Sequence, residues 1–489
     1  MLTLILFTCV LYILFIYYFN LRKRYQYFER QQIPTPSYGQ FFFGHLKQLW
    51  QTKSGYSRQL QEWTRQLGSI YGFYEGSTPV YVVSNVDFLH EVFVKQFSNF
   101  HARKSSIQTH LIKAKHLVES HGSNWKRQRQ IINPTFTSLK LKTMSPLIDN
   151  SIEELVKKLN TDKLFNIYLL YKRLTMDVIC RCAFGIDTNM QDDPDNIYLH
   201  KIGQIISTDF EKLHLSKLCR VIPKLSWIFA QIFLFRNNFN RLMNFICGHL
   251  MKFEELPNLW LFNRIQNVID MRSTNIEQRR IDLLQLMLDA SAEGKEKLSY
   301  EEVKSNVFLF LLAGYETTAT ALAYCTYVLA KYQNIQGKLQ MEIDAENDEY
   351  LDLFIKEVLR MYPIPIQTIN RRCMIDEASV CGYKIHQGSI IQADIYSIHY
   401  DPILWGPHPT NEFYPERHLE QRHPMAYLAF GQGPRNCIGM RFALLEIKLV
   451  LRRLLKEYTI VQINEEIFYP IRETAVIRPN EIQIQLRKR

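Results

Sequence analysis

The chain has 489 residues, 47% of them hydrophobic and 22% charged, which fits a globular protein with a large core and excludes a disordered or collagen-like chain. Its net charge is +11, but Lys and Arg form only short clusters, which counts against nucleic-acid binding and leaves an anionic membrane face or an acidic protein as partners. The nine cysteines include no Cys-x-x-Cys pair, so neither a zinc ribbon nor a redox dithiol is indicated, and free thiols in a large chain are typical of a reducing compartment.

The first predicted element is a helix over residues 2–19, which are almost wholly apolar and carry no charge. This length is about what a helix needs to span the hydrocarbon of a bilayer. The basic residues at 22–24 predict that its C-terminal side faces the cytosol. A cleaved signal peptide, the alternative, would carry basic residues before the apolar run and small residues after it. We therefore expect a transmembrane anchor at 2–19 and, because Pro34 and Pro36 stiffen the backbone, a basic linker at 20–36.

The rest of the chain, residues 37–489, is predicted to be mainly α with small β-sheets. Residues 69–84 are typical of a β-hairpin, and 380–393 form a second strand-rich region, while helical periodicity dominates elsewhere. The apolar stretch 226–235 is too short to span a bilayer, which favours a core helix over the alternative, a second contact with the membrane surface.

The strongest chemical signal is the decapeptide at 430–439, which matches the spacing Phe-x-x-Gly-x-Arg-x-Cys-x-Gly at five positions: Phe430, Gly433, Arg435, Cys437 and Gly439. A metal-binding thiolate needs a tight loop whose N–H groups point at the sulfur, and the glycines permit such a turn. A helix predicted to begin at residue 440 favours an anion at its N-terminus. The alternative, a buried structural cysteine in a glycine-rich turn, does not require this spacing.

The decapeptide resembles the haem-binding loop of the cytochrome P-450 monooxygenases, and with residues 440–444 it is most similar to the animal microsomal branch that oxidises drugs and steroids. The resemblance runs from the anchor nearly to the C-terminus. It implies the cytochrome P-450 fold over 37–489, a helical haem-enclosing body with minor sheets behind a single transmembrane helix. It also implies heme b (iron protoporphyrin IX) bound through Cys437, shielded by Phe430, with O2 as co-substrate.

A second motif lies at 313–318, inside an apolar helix predicted over 303–330. It contains Glu316 and Thr317, an acid and a hydroxyl in apolar surroundings. A Thr-rich core helix is the alternative, but a buried Glu without a visible partner favours function. In the family this segment is the oxygen-binding groove, so the resemblance implies that Thr317 and Glu316 are the catalytic proton-delivery pair.

A third motif pairs Glu357 with Arg360, which share a helix face at i, i+3. Such spacing usually marks an exposed ion pair. The resemblance implies instead a buried pair completed by Arg417, with a structural role behind the haem loop.

The remaining predicted cofactor contacts are basic and aromatic. Trp125 and Arg129 share a helix face, and Arg371 precedes the second sheet region. The resemblance implies that these three, with Arg435 and Arg103, hold the haem propionates, although each Arg by itself fits a solvated charge equally well.

Two departures from the family pattern stand out. His418 replaces an aromatic residue, and the stretch 342–350 lacks the usual loop and short helix, which puts packing near Glu357 in doubt.

Taken together, the resemblance implies a monooxygenase that inserts one oxygen atom of O2 into small lipophilic substrates with electrons from NADPH. The expected partners are NADPH–cytochrome P-450 reductase, cytochrome b5 and the endoplasmic reticulum membrane, with the catalytic domain in the cytosol and no nucleic acid. Two rivals stay open: a haem-thiolate isomerase that acts on peroxides without a reductase, and a catalytically impaired haem- or sterol-binding membrane protein. The substrate is not encoded in a motif, but pocket walls are expected from 105–118 and 226–235.

Overall fold

The computed structural model describes residues 1–489 except 38–39, 105–113, 160, 162, 186–189, 194, 208–213, 248–254, 275–281, 293–296, 462–470 and 475. In the part it describes, the α-helices are α1 (Leu2–Tyr25), α2 (Tyr27–Arg30), α3 (Leu46–Gln51), α4 (Tyr56–Leu67), α5 (Val86–His90), α6 (Gly122–Ile132), α7 (Ser138–Lys157), α8 (Ile167–Ile179), α9 (Ile197–Ser207), α10 (His214–Val221), α11 (Ser226–Cys247), α12 (Pro257–Thr274), α13 (Leu283–Ala292), α14 (Tyr300–Lys331), α15 (Gln333–Asp344), α16 (Glu349–Met361), α17 (Ile395–His399), α18 (Pro402–Trp405) and α19 (Met440–Glu457). The strands are β1 (Ile70–Glu75), β2 (Thr78–Val83), β3 (Phe165–Asn166), β4 (Asn370–Arg372), β5 (Glu377–Val380), β6 (Tyr383–His386), β7 (Ile390–Ala393), β8 (Tyr458–Val461), β9 (Ile471–Glu473), β10 (Ile477–Pro479) and β11 (Gln483–Lys488). The prediction of a mainly α fold with small sheets is confirmed.

Helix α14 is the centre of the larger core. It begins at a capping box in which Ser299 and Glu302 satisfy each other's backbone N–H groups, and it runs for 32 residues. It packs against α8, α12, α16 and α19, and its buried residues belong to the main hydrophobic cluster. Among the helices whose residues are all described, α14 is the one long and apolar enough to cross a membrane, but 72% of that window is buried, as expected for a core helix.

The sheets lie in the two predicted regions and at the C-terminus. Strands β1 and β2 pair antiparallel as the hairpin predicted over 69–84, and β2 pairs parallel with β7, giving the order β1-β2-β7-β4. Strands β5 and β6 form a separate hairpin, and β11 joins β3 to β8. Since β4 pairs with β7 over residues 370–372, the sheet fixes the backbone of Arg371.

The N-terminal helix continues beyond the predicted anchor, to Tyr25, and α2 follows almost directly. The segment predicted as a linker, 20–36, is therefore helical over most of its first half, and its role as a linker stays a prediction. Residues 20–30 contain no helix breaker, and basic side chains in the last turn of α1 are favourable at the negative end of its dipole. The backbone becomes extended only at 33–37, around the two prolines.

The apolar stretch 226–235 forms the first half of α11, and its interpretation as a core helix is wrong. This helix buries only Ser226, Ala230 and Asn237. Most of its large apolar residues lie on the side of the helix that faces away from the core. The exposed ones are Trp227, Ile228, Ile232, Phe235, Phe239, Leu242, Phe245 and Ile246.

Helices α15 and α16 are joined directly by the short connection that the sequence suggested. Glu346 adopts a left-handed conformation in it, with φ of +57°. The N–H of Tyr350 donates to Glu342 Oε2 at 3.0 Å, and Arg452 Nη1 binds both oxygens of Asp348 at 2.8 and 2.9 Å. These contacts close the turn without the additional helix.

Candidate functional site

The loop before α19 holds Cys437 through its own backbone. The N–H of Cys437 donates to the carbonyl oxygen of Phe430 at 2.8 Å, and that of Asn436 donates to the carbonyl of Gly433 at 3.0 Å. Gly433 has a φ of +75°, and a Cβ there would overlap with the backbone carbonyl of Phe93. Only glycine therefore fits at this position. Gly439 is less constrained, because a Cβ there would approach only the Phe136 ring, at 4.0 Å.

Cys437 has accessible surface, although protein atoms surround it closely enough to desolvate its thiol. Burial raises the pKa of its thiol, while the N–H of Gly439 and the guanidinium groups of Arg129 and Arg103 lower it. The predicted N–H contact with the sulfur is present, but in the protein alone burial outweighs it. An exposed residue in such surroundings faces an internal cavity, and a metal ion there would favour the thiolate.

Helix α14 also has one side that other elements leave partly uncovered. Most of its middle turns are buried, but Ala313 is exposed, and Leu309, Leu312 and Thr317 are partly so. Residues spaced in this way share a face of a helix. Thr317 Oγ1 donates to the carbonyl oxygen of Ala313 at 2.5 Å, the bond back to the preceding turn that the sequence suggested. The face is apolar apart from this hydroxyl.

Three of the predicted arginines contact the Cys437 loop from other elements, and the fourth, Arg435, belongs to the loop itself. Arg129 donates to the carbonyl and the side-chain oxygen of Asn436 at 2.9 and 2.8 Å. Arg103 donates to the carbonyl of Arg435 at 3.1 Å, and Arg371 to that of Gln432 at 3.3 Å. Their guanidinium groups therefore meet the loop mainly through backbone carbonyls.

These four guanidinium groups have no carboxylate partner among the described residues. Burial lowers the pKa of Arg371 well below its usual value, and Arg103 and Arg435 lower it further by repulsion. The pKa of Arg435 falls to about 9 for the same two kinds of reason, burial and then repulsion by Arg103 and Arg129. Trp125 is buried, and the Arg435 guanidinium lies 4.9 Å from the centroid of its ring.

The predicted structural pair is buried and complete. Arg360 donates to both carboxylate oxygens of Glu357, at 2.7 and 2.9 Å, and Arg417 Nε donates to Oε1 at 2.9 Å. His418 Nε2 lies 3.0 Å from the second oxygen, so the residue that departs from the family pattern is a member of this group. Burial raises the pKa of Glu357, but hydrogen bonds from Arg360 and His418 outweigh it and bring the pKa to about 2. The short connection at 345–348 leaves this geometry intact.

Comparison with known proteins points to the family that the decapeptide at 430–439 resembles. The sequence profile of the cytochrome P-450 family matches residues 34–486. Three proteins of Caenorhabditis elegans named as cytochromes P-450 are similar over almost the whole chain. CYP13A3 is 32% identical over 506 aligned positions that cover 92% of both chains, CYP13A2 is 33% identical over 95% of both, and CYP13A8 is 32% identical over 99% of this chain and 100% of its own.

The chain belongs to the cytochrome P-450 family. It is a haem-dependent monooxygenase that uses dioxygen. The alignment with CYP13A3 has 506 positions, whereas this cytochrome P-450 has 489 residues, so CYP13A3 carries residues at positions where this chain has none. The short connection between α15 and α16 agrees with this difference.

The site of this cytochrome P-450 fits the haem. The Nε atoms of Arg103, Arg371 and Arg435 are buried and have no partner, which is costly unless an anion arrives. Two propionates would supply that anion, and the sulfur of Cys437 would bind the iron. The structure brings Trp125, Arg103, Arg129, Arg371 and Arg435 together at the Cys437 loop.

Glu316 and Thr317 are adjacent in sequence, but the structure separates their side chains. Glu316 is 2% exposed, and its Oε1 accepts from Tyr168 Oη at 2.5 Å and from Arg478 Nη1 at 2.7 Å. Lys172 Nζ lies 3.5 Å from the same oxygen. The carboxylate is therefore paired in the core and not directed at the cavity beside Thr317. Its part in proton delivery stays a prediction.

Several residues of these groups were missed by sequence reasoning. Arg478 and Tyr168 hold Glu316 from positions 162 and 148 residues away, and His399 accepts from the N–H of Leu428 at 2.9 Å, beside the Glu357 group. Burial lowers the pKa of His399 to about 3. No local pattern could have found these partners, because each contact depends on how distant elements pack.

Proposed function

We propose that this cytochrome P-450 inserts one oxygen atom of O2 into small lipophilic molecules, with electrons that NADPH supplies through a reductase. The observation that carries the proposal is the apolar side of α14, where Leu309, Leu312 and Ala313 keep accessible surface, as Cys437 does. In the proposal these surfaces line one cavity. Such a wall favours apolar substrates and offers few polar groups to select among them. The bound haem would supply the activation of dioxygen.

The chain's own residues have distinct parts in this proposal. Cys437 would bind the iron, and the four arginines would bind the propionates. Thr317 Oγ1 is the polar group on the apolar side of α14, placed to hold a water molecule or donate a proton there. Because its present acceptor is only the carbonyl of Ala313, a small rotation of the side chain frees it.

The test has three parts. The reduced, CO-treated protein should show the red-shifted absorbance of thiolate-ligated haem, and Cys437→Ser should lose it. Lipophilic compounds should shift the spin state of the iron, and those that bind should be oxidised only when NADPH and the reductase are both present. Added cytochrome b5 is expected to change the rate of the second electron transfer. Turnover of peroxides without NADPH would favour an isomerase instead, and a missing CO band would favour an impaired haem or sterol binder.

The proposed role of the Thr317 hydroxyl as a proton donor can be tested separately. Thr317→Val should raise the release of hydrogen peroxide relative to product, because the side chain no longer offers a proton, while Thr317→Ser should behave like the parent. Equal coupling in all three proteins would exclude a part for this hydroxyl.

We further propose that the protein is anchored in the endoplasmic reticulum membrane by α1, with the catalytic domain in the cytosol. Phe7, Leu11 and Phe15 on this helix are exposed, and basic residues occupy its last turn. The apolar side of α11 offers a second contact, since the segment 217–241 carries basic but no acidic residues.

Fractionation with alkaline carbonate extraction tests the anchor. The full chain should stay with microsomal membranes, and proteases added from the cytosolic side should digest the catalytic domain. Protection of that domain would reverse the topology, and release by carbonate would exclude a spanning helix.

A further inference from the structure

Residues 114–121 have no regular secondary structure and lie between α14 and the haem-binding arginines. Two backbone hydrogen bonds are described within this segment. The N–H groups of Glu119 and Ser120 both donate to the carbonyl oxygen of His116, at 3.0 and 2.9 Å. The segment must therefore be positioned by side chains from other elements.

Two buried amides provide that support. Asn306 on α14 accepts from the N–H of Leu117 at 2.9 Å and donates to Gln128 Oε1 at 3.1 Å. Gln128 on α6 donates to the carbonyl of Lys115 and to Ser120 Oγ, both at 3.0 Å. Asn306 is 0% and Gln128 1% exposed, so water cannot replace these bonds at low cost.

The bridge is secured at a third point. Glu302 accepts from Gln128 Nε2 at 3.1 Å and also pairs with Arg127, and its backbone carbonyl accepts from Asn306 Nδ2 at 2.8 Å. The polar groups of both amides are thus committed, and neither can rotate without breaking several bonds.

Asn306 lies on the side of α14 that faces the cavity. It precedes Thr317 by eleven residues, which places the two about 20° apart around the helix axis and about 16 Å apart along it. Leu309, Ala313 and Thr317 on that side are at least partly exposed, but Asn306 is fully buried. The backbone N–H of Leu117 is bonded to it there. The segment therefore lies against α14 on the side that carries Ala313 and Thr317, about three turns from Thr317.

The segment also meets the predicted propionate-binding arginines. Arg435 donates to the carbonyl oxygen of Val118 at 3.2 Å and to that of Ser120. The middle of the segment is thus tied to the long helix, and the residues that follow it are tied to Arg435.

We propose that Gln128 and Asn306 are positioning residues that set the distance of the wall at 115–121 from the haem, and with it the size of substrate that the cavity accepts. The inference rests on the proposed function, because it assumes a haem in the cavity. Neither amide touches the reacting atoms. Their effect is expected on large ligands and not on small ones, since only large ligands extend as far as Leu117.

The variants Asn306→Leu and Gln128→Met keep the branched or linear shape of the side chain and remove the bridge. The matched control is Tyr171→Phe, which removes another buried hydrogen bond of α14, the one between Tyr171 Oη and Thr326 Oγ1 at 2.7 Å. Haem loading is checked by the absorbance of the reduced, CO-treated protein. Two probes follow, imidazole and the much larger azole clotrimazole, both titrated by the shift of the haem spectrum.

We expect both bridge variants to bind clotrimazole about tenfold more weakly and to bind imidazole within about twofold of the parent. Hydrogen exchange of the Leu117 amide should quicken about tenfold in both, with or without haem, and stay unchanged in Tyr171→Phe. Faster exchange with an unchanged ratio of the two affinities would overturn the role in ligand size. Unchanged exchange would overturn the bridge itself. A parent protein without the CO band would instead overturn the proposed function, and the inference with it.

Discussion

Two groups of buried arginines in this protein differ in what compensates them. Arg360 and Arg417 share the carboxylate of Glu357 and donate their other N–H groups to backbone carbonyls. Arg371 and Arg435 are also buried, but each has an Nε atom without a partner and no carboxylate among the described residues. The first group is compensated by a carboxylate of the fold, and we expect the second to be compensated when the anionic propionates bind. The same residue type would then stabilise the fold in one place and hold a cofactor in the other.

The largest expected effect is on the compensated group. Glu357→Ala leaves two buried guanidinium groups unpaired, so we expect the free energy of unfolding to fall by about 3–5 kcal/mol. Denaturant unfolding of the haem-free protein measures this. Glu62→Ala is the control, since its partner Arg65 lies on the surface at 3.5 Å, and a change below about 1 kcal/mol is expected there. A loss at position 357 no larger than that of the control would refute the comparison.

A second prediction uses pH to weaken the compensated group. Neutral His399 accepts from the N–H of Leu428, and burial holds its pKa near 3. Its folded-state pKa is thus below the unfolded value near 6.5, so protons favour the unfolded state. Stability should fall by about 1.4 kcal/mol per pH unit below 6.5. Glu357, with a pKa of about 2, adds a further loss below pH 4.5.

Denaturant unfolding at pH 7 and pH 5 measures the first of these windows. His399→Gln, which does not titrate, should have the shallower pH dependence. An equal slope in the two proteins would show that another group is responsible.

The uncompensated group should respond in the opposite way. Arg371→Met relieves the repulsion that Arg103 and Arg435 exert on it, so the haem-free protein should keep its stability within about 1 kcal/mol. Haem should leave the variant about tenfold faster, because one propionate partner is lost. Transfer of haem to apomyoglobin measures the rate. If the haem-free protein unfolds several kcal/mol more easily instead, Arg371 belongs with the compensated group.

The smallest effect sharpens the assignment of Glu316. Its carboxylate compensates Arg478 and Lys172, so Glu316→Gln should lower the free energy of unfolding by about 1–2 kcal/mol while the bond to Tyr168 survives. Calorimetric unfolding and product formation are measured on the same preparation. Lost turnover at unchanged stability would instead support the predicted proton-delivery role.

Local patterns predicted the parts of this site that are local in the structure. The spacing of Phe430 to Cys437 predicted a tight loop, which the structure closes with a bond from the N–H of Cys437 to the carbonyl of Phe430. The apolar run at 303–330 predicted α14 within three residues at either end. The pairing of Glu316 with Arg478 joins residues 162 apart, and the exposure of α11 depends on what packs beside it. Neither is encoded in periodicity, since a pattern fixes which residues share a face but not which neighbour that face meets.

Gly433 has a consequence for how this enzyme can change over generations. Any missense substitution at this codon adds a side chain. Every side chain begins with a Cβ, and the carbonyl of Phe93 leaves no room for one. The conformation of the cysteine loop therefore depends on two stretches of the gene that lie far apart. The constraint on residue 433 comes from the backbone carbonyl of residue 93, and the side chain of residue 93 is not part of it.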